Sequence, residues 1–199
     1  MTTRTLTRRA ALAALAAAGA LVLAACGGDH ADSGHGGSAP SATAGAHNAQ
    51  DVAFAQGMIP HHQQALEMAR LAAGRAASAE VRDLAARIEK AQDPEIRTMT
   101  GWLRAWGEQL PMAGMDHSGH SGMSGMMSDA DMTALRKATG KDFDTRFLTL
   151  MTEHHRGAVE MAATERAKGR DGAAKAMADA VVIAQSAEIK EMKRLLGTR

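Results

Sequence analysis

Apolar residues recur every three or four positions over most of the chain, and no segment sustains the strict alternation of a half-buried strand. From Asp51 to about Leu110 the pattern is helical, with one break expected at Ala73-Gly74, and Ser78 reads as the N-cap of the helix that follows. Pro111 to Met127 has no helical period and is crowded with Gly, Ser, His and Met. Ser128 or Asp129 restarts a short helix ending at Gly140, Asp142 or Asp144 opens a long one ending near Gly169, and Asp171 caps a last helix to about Leu196. Prolines at 60 and 94 lie inside helical patterns and predict local bends, the first freeing the carbonyl of Gln56.

The long helices form two copies of one unit. Asp51, Phe54, Met58, His61, His62, Ala65, Glu67, Met68 and Ala69 recur as Asp144, Phe147, Met151, His154, His155, Ala158, Glu160, Met161 and Ala162, every pair 93 positions apart. The same offset aligns Gln92, Glu95, Ile96 and Met99 with Gln185, Glu188, Ile189 and Met192. One offset held across two helices and the turn between them means that each half is a helical hairpin. Two hairpins give an all-α fold, a four-helix bundle over residues 50–197.

Helical phase then assigns faces. At about 100° per residue, Met58, His62, Ala65 and Ala69 share one stripe, and Phe54, His61 and Met68 a neighbouring one, both on the apolar side. Glu67 falls opposite, and Glu160 does so in the second half, where Met151, His154 and His155 point inward. In the partner helices Gln92, Glu95, Ile96, Met99 and Leu103 share a stripe, as do Gln185, Glu188, Ile189, Met192 and Leu196. Each half thus puts Gln and Glu on a face that is to be buried, where an unpaired polar group costs about 1–3 kcal/mol. Glu95 or Gln92 is expected to meet His61 or His62, and Glu188 or Gln185 to meet His154 or His155.

Upstream of the bundle the chain reads as a targeting segment. Arg4, Arg8 and Arg9 precede an apolar run from Ala10 to Ala25 that is shorter than the roughly 20 residues a membrane span needs. It ends in Leu23-Ala24-Ala25-Cys26, which resembles a bacterial lipoprotein cleavage box, so residues 1–25 are expected to be removed and Cys26 to carry a lipid. An uncleaved signal anchor is the alternative. Thr7-Arg8-Arg9 leaves both the general and the twin-arginine export routes open. Residues 26–49, rich in Gly, Ser, Ala and His, read as a flexible tether spanning on the order of 25 Å, which would hold the domain at the outer face of the cell membrane.

Composition narrows the chemistry. A net charge of +1 offers no electrostatic case for nucleic acid. Cys26 is the one cysteine, which excludes an intramolecular disulfide and a CxxC metal site. Tyrosine is absent and aromatic content is 3%, while methionine reaches 14 residues. Thioether sulfur and neutral imidazole are donors for soft and borderline metals, Cu(I) foremost. Met58, His61 and His62, with Met151, His154 and His155, are therefore candidate ligands, and Gln92, Glu95, Met99, Gln185, Glu188 and Met192 candidate supporting residues. Methionine as plain core filling is the competing explanation, which does not require His-His twice.

Met112, Met115, His117, His120, Met123, Met126 and Met127 fall within 16 positions of the central loop and form a second candidate ligand set, against the alternative of low-complexity drift. His30, His35 and His47 in the tether are weaker candidates. A di-iron carboxylate centre, the rival in a four-helix bundle, needs Glu-x-x-His pairs that this chain lacks. Glu95 and Glu188 keep a metal oxidase open as an alternative, and a metal-free interaction module is the third reading.

The segments Phe54 to Ala69 and Met151 to Ala162, with Gln-x-x-Glu-Ile-x-x-Met at Gln92 and Gln185, resemble the signatures of the domain-of-unknown-function 305 family over about residues 50–197. The resemblance implies a ferritin-like four-helix bundle exported in bacteria, some members being associated with copper binding and resistance, with no assigned enzymatic activity. The Met/His loop is not part of the shared signature. The combined expectation is an extracytoplasmic Cu(I)-binding lipoprotein that buffers copper or passes it on, and also accepts silver.

Overall fold

A computed structural model describes residues 47–111 and 124–198. The signal segment, Cys26, the tether up to residue 46 and loop residues 112–123 lie outside the described residues. Five helices follow one another: α1 (Ala49–Arg75), α2 (Ala79–Trp106), α3 (Asp129–Lys137), α4 (Gly140–Lys168) and α5 (Gly172–Leu195). Among the described residues the sole β feature is an isolated bridge between Ala76 and Gly140. The fold is all-α, two hairpins (α1–α2 and α4–α5) with short α3 in the connection.

Two apolar clusters, at opposite ends, define how the hairpins meet. One gathers Ala65, Met68 and Ala72 from the second half of α1 with Phe143, Phe147 and Met151 from the first half of α4, plus Leu84 and Ile88 of α2 and Met192 of α5. The other gathers Phe54, Ala55 and Met58 from the start of α1 with Ala158 and Ala162 from the end of α4, plus Met99, Leu103 and Val181. The end of α1 thus packs on the start of α4 and the reverse, so the two motif helices run antiparallel. The hairpins are related by an approximate two-fold axis through the middle of that contact. Alanines at positions 55, 65, 69, 158 and 162 are all buried there, and small side chains allow close helix approach.

Paired caps lock one hairpin to the other. Asp51, the first residue of the repeat, accepts hydrogen bonds from the backbone N–H of Arg170 (2.9 Å) and Asp171 (2.9 Å) in the α4–α5 turn. Its counterpart Asp144 accepts from Ala77 (3.1 Å) and Ser78 (2.9 Å) in the α1–α2 turn. Each motif helix satisfies the orphan amides at the start of the other hairpin's second helix.

These caps account for differences from the sequence reading. The break falls at Ala76–Ser78 rather than Ala73-Gly74, because the turn forms where Asp144 reaches it, and Gly74 stays inside α1. Helix α4 starts at Gly140, ahead of Asp142 and Asp144, because Asp144 faces the other hairpin instead of capping its own helix. Ser78, Ser128 and Asp171 are N-caps as their sequence positions imply. Neither Pro60 nor Pro94 ends its helix.

Candidate metal centre

Between the two apolar clusters lies a layer of histidines. His61, His62, His154 and His155 are each 0% exposed. The antiparallel contact brings His61 of α1 over His154 of α4, with ring centroids 3.7 Å apart and planes inclined at 41°. The second histidine of each pair turns toward its own hairpin. His62 Nε2 lies 2.7 Å from Glu95 Oε2, and His155 Nε2 lies 2.6 Å from Glu188 Oε2. The glutamate, not Gln92 or Gln185, is therefore the partner, and it takes the second histidine, not the first. With Nε2–H donating to the carboxylate, Nδ1 of His62 and of His155 carries a lone pair.

That layer is short of hydrogen-bond partners. Both ring nitrogens of His61, both of His154, Nδ1 of His62 and of His155, and Oε1 of Gln92 and of Gln185 are buried with no well-formed hydrogen bond among the described residues. Burial first, and then the nearby His62 and His155 rings, push His61 down to about 3, against a backbone contact from Ser124 that acts the other way. Burial likewise holds His154 well below the ordinary histidine range, helped by the other three rings. Both imidazoles are neutral at any physiological pH, the form in which a ring nitrogen can donate to a metal.

The remaining candidates fall into place around this layer or away from it. Met58 and Met151 are fully buried, each one turn before its histidine, and they lie in different clusters on opposite sides of the His61–His154 stack. Met99 and Met192 are fully buried, one in each cluster. Met127 packs against the cluster that contains Met151, and Met126 is half-buried. Met112, Met115, His117, His120 and Met123 lie outside the described residues. His47 stacks on Trp106, at 4.7 Å between centroids, and so is engaged elsewhere. Among the described residues no three His, Cys, Asp or Glu side chains converge as a ready ligand set. Any coordination sphere here is thus low in number or drawn partly from sulfur.

Glu67 and Glu160 point outward, to Arg136 and to Ser124. Sequence reasoning missed Glu165. It is 0% exposed, its carboxyl lies against Asp51, and its counterpart in the first half is Ala72. Burial, then the neighbouring Asp51, pushes its carboxyl up to about 8. Burial raises Asp51 too, but Glu165 and the backbone N–H groups of Asn48, Asp171 and Arg170 outweigh it and hold Asp51 low. The pair lies at the Asp51 cap, away from the histidine layer. A lone Glu in an otherwise polar stretch before a turn gives no sequence signal of this.

The match to known proteins follows the same boundaries as the bundle. The family model for a domain of unknown function, DUF305, covers residues 51–196. The chain belongs to the DUF305 family. A DUF305 protein of Streptomyces coelicolor is 38% identical with a TM-score of 0.68, over 74% of this chain and 92% of its own. A DUF305 fragment from Deinococcus radiodurans is 33% identical, TM-score 0.68, over 75% and 97%. CopM in its Cu(I)-bound form is 32% identical, TM-score 0.62, over 73% and 94%, and CopM has also been crystallised with Cu(II) and with silver. No curated protein matches the chain in sequence.

Proposed function

We propose that this DUF305 protein is an extracytoplasmic copper-binding protein whose metal centre is the histidine layer. The observation that carries the reading is the His61–His154 pair, in which all four ring nitrogens are buried in neutral rings and none makes a well-formed hydrogen bond to another described residue. Each orphaned polar group costs about 1–3 kcal/mol, so a layer of them is an expensive way to fill a core. A cation that takes imidazole donors removes that cost. Neutral imidazole with thioether sulfur favours Cu(I) and silver over hard cations. CopM, a relative, has Cu(I)-bound and silver-bound forms, which supports a soft metal here.

In this reading His61 and His154 hold the ion, one from each hairpin, with Met58 and Met151 available one turn away on either side. Glu95 and Glu188 orient His62 and His155 and make their Nδ1 atoms better donors, as carboxylates do behind metal-bound imidazoles. The supporting positions Gln92, Gln185, Met99 and Met192 close the layer. Each glutamate is committed to its own histidine, which favours binding over a carboxylate-bridged oxidase. The loop residues Met112, Met115, His117, His120, Met123, Met126 and Met127 supply further soft donors in the same chain, as a separate capture set. The leader and Cys26 put the domain outside the cell, tethered by a lipid.

Cu(I) titration of the purified domain against a chelator tests the assignment. The chain with His61, His62, His154 and His155 all changed to Ala is expected to lose tight binding. Equal affinity in the two proteins would sink the histidine layer as the centre.

A further inference from the structure

Among the positions at which the two halves differ, one pair lies beside His61 and His154 and against a single piece of chain. Two residues after His62 stands Gln64, and two residues after His155 stands Gly157, which are counterparts in the two halves. Both are buried or at the packed surface of the α1–α4 contact, and both hold the same short piece of chain, Ser124–Met127. The Gln64 side chain brackets the backbone of Met127. It accepts from the Met127 N–H at 2.8 Å and donates to the Met127 carbonyl at 3.0 Å. On the other helix, a Cβ at Gly157 would overlap the Ser124 carbonyl and Gly125 Cα. Gly125 itself has φ +82°, and a Cβ there would press on the carbonyls of Glu153 and His154. Ser124 Oγ donates to Glu160 at 2.6 Å, next along α4. The backbone of Ser124 reaches His61.

Ser124–Met127 is thus a strap across the two motif helices at the level of the stack. It is seated by Gln64 and Gly157, one of the pairs of counterparts that differ between the halves. The opposite side of the layer is closed by α2 and α5, where His62 and His155 are pinned by Glu95 and Glu188 and backed by the buried Gln92, Gln185, Met99 and Met192. Among the described residues, the strap is held by a few polar contacts, the close approach of Gly125 to α4 and the packing of Met127. Local opening draws on the parts of a fold with few buried contacts.

We propose that the strap is the gate through which a soft monovalent cation reaches and leaves His61 and His154, with Gln64 and Gly157 as its latch. The inference rests on the reading of the histidine layer as the metal centre. It predicts that loosening the latch changes the rate of exchange more than the affinity, because neither latch residue is a ligand.

Two variants and two readouts test it. Gly157→Ala displaces the strap while a helix interior prefers alanine to glycine, so the fold is retained. Gln64→Ala removes both bonds to Met127. The first readout needs no metal: carbethoxylation of His61 and His154 in the whole chain, followed by fragment mass spectrometry. Each variant is expected to be modified about tenfold faster than the native chain at unchanged helical content. The second is stopped-flow transfer of Cu(I) from the protein to a chelator, where loading and release are both expected to accelerate by a similar factor. Unchanged histidine reactivity in both variants would overturn the gate whatever the metal does. Faster modification with unchanged Cu(I) transfer would also overturn it, since the ion would then use another route. If the native chain binds no Cu(I) while modification accelerates, the strap covers the stack but the metal reading, and with it the gate for a cation, is lost.

Discussion

At the middle of the α1–α4 contact the two hairpins are interchangeable. His61 mirrors His154, His62–Glu95 mirrors His155–Glu188 at 2.7 and 2.6 Å, and Asp51 and Asp144 cap each other's turns. At other positions of the same helices the halves part. Gln64 stands against Gly157, Ala72 against Glu165, and Pro60 against Glu153. The matched His61–His154 pair and the Asp51 and Asp144 caps are positions at which one hairpin is the other's environment. The unmatched ones face something that exists once: the strap, in the case of Gln64 and Gly157, and the buried acid beside Asp51, in the case of Glu165. Symmetry in the sequence therefore marks the centre, and its failures mark what has been fitted around it.

The caps give the strongest way to break this comparison. Asp51→Ala and Asp144→Ala each strip buried backbone N–H groups of a charged acceptor, and each is expected to cost about 2–4 kcal/mol in urea unfolding. The two costs should differ, because Asp51 also faces Glu165 and Asp144 has Ala72's side of the repeat. Losses below about 0.5 kcal/mol, the scale of ordinary surface changes, would show that the cross-hairpin caps do not hold the halves together.

Glu165 sharpens the asymmetry through pH. In the fold its carboxyl keeps its proton up to about 8, whereas an ordinary glutamate releases it near 4.5. The folded state binds more protons in that window, so this group's contribution falls as pH rises from about 4.5 to about 8. The histidines act the other way: His61, lowered from 6.5 to about 3, makes stability fall as pH drops below 6.5. The glutamate is thus seen most cleanly between pH 6.5 and 8, where it should cost about 2 kcal/mol. Glu165→Gln is expected to flatten the urea-unfolding profile there and to be the more stable protein at pH 8.5. A native profile already flat over that range would contradict the buried protonated acid.

Smaller effects separate ligand from filler. Met58→Leu and Met151→Leu conserve volume and should each change stability by less than about 1.5 kcal/mol. If the thioethers assist the ion, both lower Cu(I) affinity, and by similar factors because the positions are equivalent. A loss from one alone would show that the two-fold relation does not extend to the metal. Last, removing residues 112–123 should lower the number of ions bound and leave the helical circular dichroism unchanged. A collapse of helicity would make the loop part of the fold.

Much of this is legible in the sequence. The fixed offset of 93 announced two hairpins, Ser78, Ser128 and Asp171 announced helix starts, and helical phase put the histidines inward and Glu67 and Glu160 outward. Phase did not choose between His61 and His62 for the crossing, because neighbouring residues on a helix differ by only about 100° and both fell on the apolar side. The antiparallel register decides it, and register is a property of two helices. Asp144 reads as a possible opener of its own helix, since local sequence carries no sign of a turn brought near by folding. Glu165 and the Gln64–Gly157 latch were missed for the same reason: their partners lie far along the chain.

The central claim is that the ring nitrogens of His61 and His154 bind the metal. Cu(I) is diamagnetic, so side-chain nitrogen NMR of the protein labelled with 15N-histidine reads those atoms directly. On addition of Cu(I) up to one equivalent, the account predicts that the ring nitrogens of His61 and His154 move from the neutral, uncoordinated position to a metal-bound one. Those of His62 and His155 should keep their carboxylate-bonded Nε2. Uptake of Cu(I) with the His61 and His154 resonances unmoved would contradict the account and assign the metal to other donors.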